Sequence, residues 1–428
     1  MTHSLIIGAF LFLFFFEFVV EFGLNELNLA YVRQRCAEGK LPDFFAAVIS
    51  PEDYEKSVEY TVAKGRFQRW AAIYDALVTL WILFGGALPA LDRFARTLAA
   101  GFPASAYATG IIFCLSGGLI FSLLSLPIDL YSTFVLEERF GFNKTTPRLY
   151  MIDKLKGLVL TLIIGVPFLF GVLWLMDAAG AYWWFWAFLF VTAFQLLLVV
   201  LYPTLIAPLF NKFEPLSEGE LRQRILELAE QLGFKTSGIF TMDGSRRSAH
   251  SNAYFTGLGK AKRIVLFDTL VEQMTVAQAV AVLAHEIGHY KLKHIRRMLV
   301  LRSVSLLAGL YVLSLLINYQ PLFSAFGFDG PSHHAALVLF SLLSGPATCY
   351  LHPLMNYVSR KHEYEADGFA VQVLKDPKPM EEALIKLTIK NLSNLTPHPW
   401  YSAYHYSHPT PAERISAIRR ELPQGATA

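Results

Sequence analysis

The segment best equipped for chemistry is His285-Glu286-Ile287-Gly288-His289. Histidines at i and i+4 lie on one face of a helix, close enough to share a metal ion. Glu286 follows the first of them, where its carboxylate reaches a water activated by that ion. Zinc lowers the pKa of such a water to about 7, and a glutamate can then take its proton. The ordinary alternative is a pair of solvated histidines on a surface helix. With 12 His in 428 residues, a chance match is on the order of one in a hundred per chain. A catalytic zinc also needs a third protein ligand and an open position. Glu363, Glu365, Asp367 and the tail histidines are the candidates.

These side chains need rigid elements to hold them. Thr275-Val276-Ala277-Gln278 is a capping box, and predicts a helix through His285 to about His294. Ser217-Glu218-Gly219-Glu220 reads as another, followed by Leu221, Ile225, Leu228 and Leu232 at helical spacing, with Gly233 as the stop. Residues 237–242, 253–258 and 263–267 read as short strands. Residues 359–374 read as a helix carrying the acidic candidates. Thr410-Pro411-Ala412-Glu413 is a third capping box, opening a helix that ends near Leu422. Asn252 stands beside the second strand, and an edge strand there could pair with an extended peptide. A plain turn asparagine is the alternative. His408 precedes the last helix and Arg414 lies in its first turn. Both could converge on the metal, although His408 also suits a helix entry. His398 and His405 read as structural.

Composition places this machinery in a membrane. Hydrophobic residues make up 54% of the chain, charged residues 17%, and the mean hydropathy is +0.40. Those figures exclude a disordered chain and a nucleic-acid-binding tail. A net charge of +3 is too small to imply an acidic partner. Cys36, Cys114 and Cys349 have no CxxC spacing, so neither a disulfide framework nor a cysteine zinc site is expected. The first apolar run lacks a basic leader and a small-residue cleavage site, and reads as a retained helix. Seven stretches are long and apolar enough to span: 4–22, 70–91, 107–126, 157–176, 182–206, 298–318 and 335–357. The second is interrupted by Asp75, Gly85, Gly86 and Pro89. Seven spans put Arg33, Arg35, Lys144, Lys154, Arg246, Lys291, Arg360 and many other cations on one side, and only Arg93 and Arg96 on the other. The positive-inside rule then sets the N-terminus outside or lumenal and the long loops in the cytoplasm. Glu17, Glu21 and Asp75 lie within spans, and suit packing or cavity-lining roles better than catalysis.

The motif at 285–289, followed by Ser359-Arg360-Lys361-His362-Glu363-Tyr364-Glu365-Ala366-Asp367, resembles the type I CAAX prenyl proteases. So do Asn252-Ala253-Tyr254-Phe255, residues 262–270, 207–213 and 137–143, and His405-Tyr406-Ser407-His408-Pro409. The likeness covers nearly the whole chain. It implies a mainly α, seven-span protein enclosing a water-filled chamber, with a split gluzincin-like cytoplasmic protease domain that carries a small β-sheet. The chain then divides into membrane helices with cytoplasmic loops (1–206), a first protease part (207–297), two further spans (298–357) and a second protease part (358–428). It implies one Zn²⁺ held by His285, His289 and Glu363, with Glu286 as general base. Asp367, one turn beyond Glu363, is suited to orient a ligand histidine. Asn252 is expected on substrate backbone, His408 as an oxyanion donor with Arg414 as its support, and Arg360 as a supporting ion-pair residue. The implied substrate is a prenylated or membrane-associated protein, cut after the prenylated Cys of a C-terminal CaaX sequence to release three residues. Two features depart from eukaryotic members: no acidic insertion at 271–278, and no dilysine-type signal at 425–428. They point to a bacterial inner membrane, with the endoplasmic reticulum as the alternative. The rival functions are a membrane quality-control protease that ignores the lipid, and a non-enzymatic receptor or transporter.

Overall fold

The computed structural model describes residues 3–41, 43–256 and 262–420. Long apolar helices dominate. The first half contains α1 (His3–Ala37), α2 (Pro51–Phe84), α3 (Ala87–Ala99), α4 (Ser105–Tyr131), α5 (Pro147–Ala178) and α6 (Trp183–Leu201). After a small extramembrane block come α9 (His294–Leu316) and α10 (His333–Thr348), described with the elements below. Six helical segments among the described residues are long and apolar enough to cross a bilayer, and counting the α2–α3 pair, bent by 57°, as one span gives up to seven. Gly85 and Gly86 make that bend. Gly86 adopts φ 75°, a left-handed conformation that ends α2 and turns the chain into α3. Leu83, Phe113, Leu173, Phe323 and Leu339 are buried between the helices. Phe12, Trp186 and Leu315 face outward, as a lipid solvent allows.

The extramembrane block starts with β1 (Phe213–Pro215) and α7 (Glu220–Gln231). The capping box expected at 217–220 does not form. Gly219 occupies the cap position and no side chain caps the helix, so the backbone entry overrides the local pattern. Then follow β2 (Gly238–Met242), β3 (Ala253–Thr256), β4 (Arg263–Phe267) and α8 (Val276–Lys291). The sheet order is β1-β2-β4-β3, with β2 and β4 parallel and both flanking pairs antiparallel. β3 is therefore an edge strand. Residues 257 and 258 of the expected strand lie outside the described residues. Ile225, Leu266, Leu283 and Ile287 join α7, the sheet and α8 in one core.

The capping box at Thr275 forms with both reciprocal hydrogen bonds. Its helix stops at Lys291, short of the expected His294, because Lys293 turns left-handed at φ 61° and α9 starts at once. The expected last span, 335–357, is also divided. It holds α10, a tight turn at Cys349–Leu351, and the first residues of α11 (His352–Leu374). The helix with the acidic candidates thus begins seven residues before its expected start at 359. α12 (Lys378–Lys390) and α13 (Pro399–His405) follow, and α14 (Pro411–Arg420) opens with the Thr410–Glu413 capping box as expected. Its expected end near Leu422 and the tail at 425–428 lie outside the described residues.

α8 and α11 cross in close contact. A Cβ on Gly288 would sit 3.1 Å from a Phe369 ring carbon and 3.4 Å from the Ala366 backbone. Gly288→Ala is expected to cost about 1 kcal/mol by overpacking and to loosen metal retention. Gly118→Ala, which meets nothing within 4 Å, should leave both unchanged. Thermal unfolding in detergent and bound-metal content would check the pair.

Candidate metal centre and active site

α8 and α11 bring His285, His289 and Glu363 to one point. One ligand atom from each lies within 4.8 Å of the others. The His285 and His289 Nε2 atoms are 3.1 Å apart, and the Glu363 oxygens stand 3.4 and 3.3 Å from them. A tetrahedral zinc with bonds of 2.0–2.1 Å requires ligand separations of about 3.3 Å. Glu363 Oε2 is buried and accepts no hydrogen bond. Arg414 Nη1 stands 3.5 Å from it, an ion-pair contact too long to be a good hydrogen bond, so a closer cation would complete this buried atom. The donor set therefore fits a tetrahedral metal.

The far sides of both rings are held. Asp367 Oδ1 stands 2.8 Å from His285 Nδ1. Asp367 in turn takes two hydrogen bonds from Arg414, at 2.8 and 2.6 Å. That fork satisfies a carboxylate that is almost wholly buried. Arg414 thus braces Asp367, not His408 as the sequence suggested. His289 Nδ1 faces His294 Nδ1 at 3.1 Å, and His294 Nε2 meets Glu365 at 2.9 Å. Sequence reasoning gave His294 no role and weighed Glu365 only as a ligand. The surplus histidine just past the motif was the available signal.

A pocket of about 280 Å³ opens on this cluster, lined by Asn252, Glu286, His408 and Arg414 among others. Burial pushes the Glu286 carboxyl up from its ordinary value, which suits a proton acceptor. Burial opposes charge on His285, but bonding to Asp367 and Glu363 outweighs it and pushes that group up to about 9. Asn252 fixes its own strand entry, its Oδ1 accepting from the Ala253 N–H at 2.8 Å. His408 Nε2 lies 3.4 Å from Glu363 Oε1, and its side chain is open to the cavity. Arg360 forms no ion pair among the described residues, unlike the role expected of it. It donates to the Ala403 and Tyr406 carbonyls at 3.0 and 2.7 Å, pinning the turn before His408 to α11. His398 caps α13, accepting from the Trp400 N–H, as a structural residue should. Glu21 faces His405 at 3.6 Å and lines a side cavity, the role expected of it.

Two family profiles match consecutive stretches. One is described as CAAX prenyl protease N-terminal, five membrane helices, over residues 32–212; the other as peptidase family M48, over 215–422. The CAAX prenyl protease 1 homolog of Oryza sativa subsp. japonica is 39% identical, covering 88% of this chain and 90% of that protein. CAAX prenyl protease 1 of Saccharomyces cerevisiae is 38% identical, over 94% and 93%. The chain belongs to the CAAX prenyl protease family of M48 membrane peptidases. The crystal structure of S. mikatae Ste24p superposes with a TM-score of 0.89 at 36% identity, covering 98% of this chain and 99% of that one. The chain is thus a multi-pass membrane zinc metalloprotease, and the receptor or transporter alternative falls.

Asp367→Asn removes an acceptor that orients His285 and leaves the Arg414 fork half empty. Metal affinity should fall about 10- to 100-fold. Glu286→Gln should retain metal, because that side chain is not among the clustered ligands. Metal retained against graded chelator would check both.

Proposed function

We propose that this protein holds one Zn²⁺ through His285, His289 and Glu363, and hydrolyses the peptide bond after a prenylated C-terminal Cys, releasing the last three residues. The observation that carries the chemistry is the His-His-Glu cluster, with a buried Glu363 oxygen that accepts no hydrogen bond, in the pocket that Glu286 lines. The substrate class is supported by the relatives, whose names make them CAAX prenyl proteases across nearly their whole length. The bound zinc supplies Lewis acidity to water and to the scissile carbonyl.

The protein's own groups do the rest. Glu286 takes the proton of the attacking water and returns it to the leaving amine. β3 offers an edge unpaired among the described residues, and Asn252 at its entry holds the substrate backbone in extended form. His408 donates to the oxygen that gains charge in the transition state. Arg414 keeps Asp367 ionised and aimed, and Asp367 keeps His285 oriented. Arg360 positions His408 through the backbone at 403–406. In this reading residues 207–297 and 358–428 are two parts of one protease domain, with 1–206 and 298–357 supplying the membrane helices.

The loop charges support a cytoplasmic protease domain and an N-terminus on the opposite side. That orientation suits a bacterial inner membrane as well as an endoplasmic reticulum membrane. The substrate would arrive as a lipid-anchored protein at the bilayer surface.

Detergent-purified protein should cut a farnesylated CaaX peptide at the prenyl-Cys bond and leave its unfarnesylated twin largely intact. Glu286→Gln should lower the rate by about 10²- to 10⁴-fold, read by mass spectrometry of the released tripeptide. Equal cleavage of both peptides would remove the lipid requirement and favour the quality-control reading.

A further inference from the structure

Beside the metal pocket lies a larger cavity of about 1010 Å³. The two share Leu384, Leu387, His408 and Arg414 as walls, so the two cavities adjoin. One face of α2 lines the larger cavity with Tyr60, Thr61, Lys64 and Gln68. That face is rigidly placed. A Cβ on Gly65 would strike Leu29 Cδ2 at 2.5 Å, and Asn25 donates to the Gly65 carbonyl at 3.1 Å, so α1 and α2 touch backbone to side chain here.

The charges on the cavity wall do not balance. Arg247 is held by Asp153 at 2.9 Å, and Arg414 by Asp367. His250 faces Glu137 and His408 faces Glu363. Glu137 is the only carboxylate among the described wall residues, and it already accepts the Tyr60 hydroxyl at 2.7 Å. Lys64 alone of the lysines and arginines on that wall has no carboxylate partner among the described residues. Its ammonium stands 5.7 Å from the centre of the Tyr60 ring, over the face of a buried residue. Lys64 is exposed, and an unpaired cation lining a cavity that adjoins the active site can seat an anion.

The substrate brings one. The bond cut lies three residues before the end of the chain, so a free carboxylate trails the reacting carbonyl by about 10 Å of extended peptide. We infer that Lys64 binds the C-terminal carboxylate of the substrate and so helps count three residues from the cut to the chain end. The inference rests on the proposed substrate class. It assigns a specificity residue outside the metal pocket. It also requires that the released tripeptide leave through the larger cavity.

The test compares two farnesylated CaaX peptides, one ending in the free acid and one in the carboxamide. Each is offered to the zinc-loaded full chain, to Lys64→Met and to Lys64→Arg. The wild-type protein should prefer the acid by about tenfold in kcat/KM, the scale of one charge-assisted hydrogen bond. Lys64→Met should lose that preference by slowing on the acid alone, and Lys64→Arg should keep most of it. Unchanged cleavage of the amide by Lys64→Met also certifies that the variant is folded. Equal wild-type rates on acid and amide would overturn the inference while the protease reading stands. So would an equal fall on both peptides in Lys64→Met together with Lys64→Arg. If the wild-type protein cuts neither peptide, the substrate reading fails and takes this inference with it.

Discussion

Three ligands from two helices must meet within a few tenths of an ångström, and more than 70 residues separate the first from the last. The contact between α8 and α11 makes that possible. Gly288 lies inside the metal motif itself, and its missing side chain lets the Ala366 backbone come close. Glu363 and Asp367, one turn apart on α11, then point at the same histidine from two sides. The sheet, α7 and α14 pack around this crossing.

The crossing also solves an electrostatic difficulty. Glu363 and Asp367 are both almost fully buried, and burying charge is expensive unless it is paired. Arg414 answers Asp367 with a two-point fork and stands 3.5 Å from Glu363. Arg414 sits on α14, which is anchored by its own capping box. The C-terminal helix is therefore part of the charge balance of the centre, although it supplies none of the clustered metal ligands. Glu365 and His294 do the same for His289 from the opposite side.

The parts of this arrangement that obey local rules were legible in the sequence. The i, i+4 histidines, the Thr275 and Thr410 capping boxes, the seven apolar stretches and the glycine break in the second of them all depend on near neighbours. Glu363 needed the family pattern, since spacing alone could not choose it over Glu365 or Asp367. What escaped depends on contacts across the chain. Arg360 reads as a charge seeking a carboxylate, yet it binds two carbonyls that the fold delivers. Arg414 reads as a neighbour of His408 but is captured by Asp367, 47 residues away. The Ser217 box obeyed the pattern and failed, because the chain enters α7 through Gly219. The helix at Lys378–Lys390 was overlooked although Met380, Ala383, Leu384 and Leu387 repeat at helical spacing.

α9 starts two residues after α8 ends, and α11 follows α10 through a single tight turn. Both halves of the ligand set are therefore extensions of helical rods long and apolar enough to cross the bilayer. Helices answer a change in hydrocarbon thickness by tilting. A tilt of one rod against the other would be felt at its far end as a displacement of Glu363 relative to the histidine pair. Lipid thickness would then act on the reacting centre as a mechanical setting, tuning the spacing of its ligands from a distance.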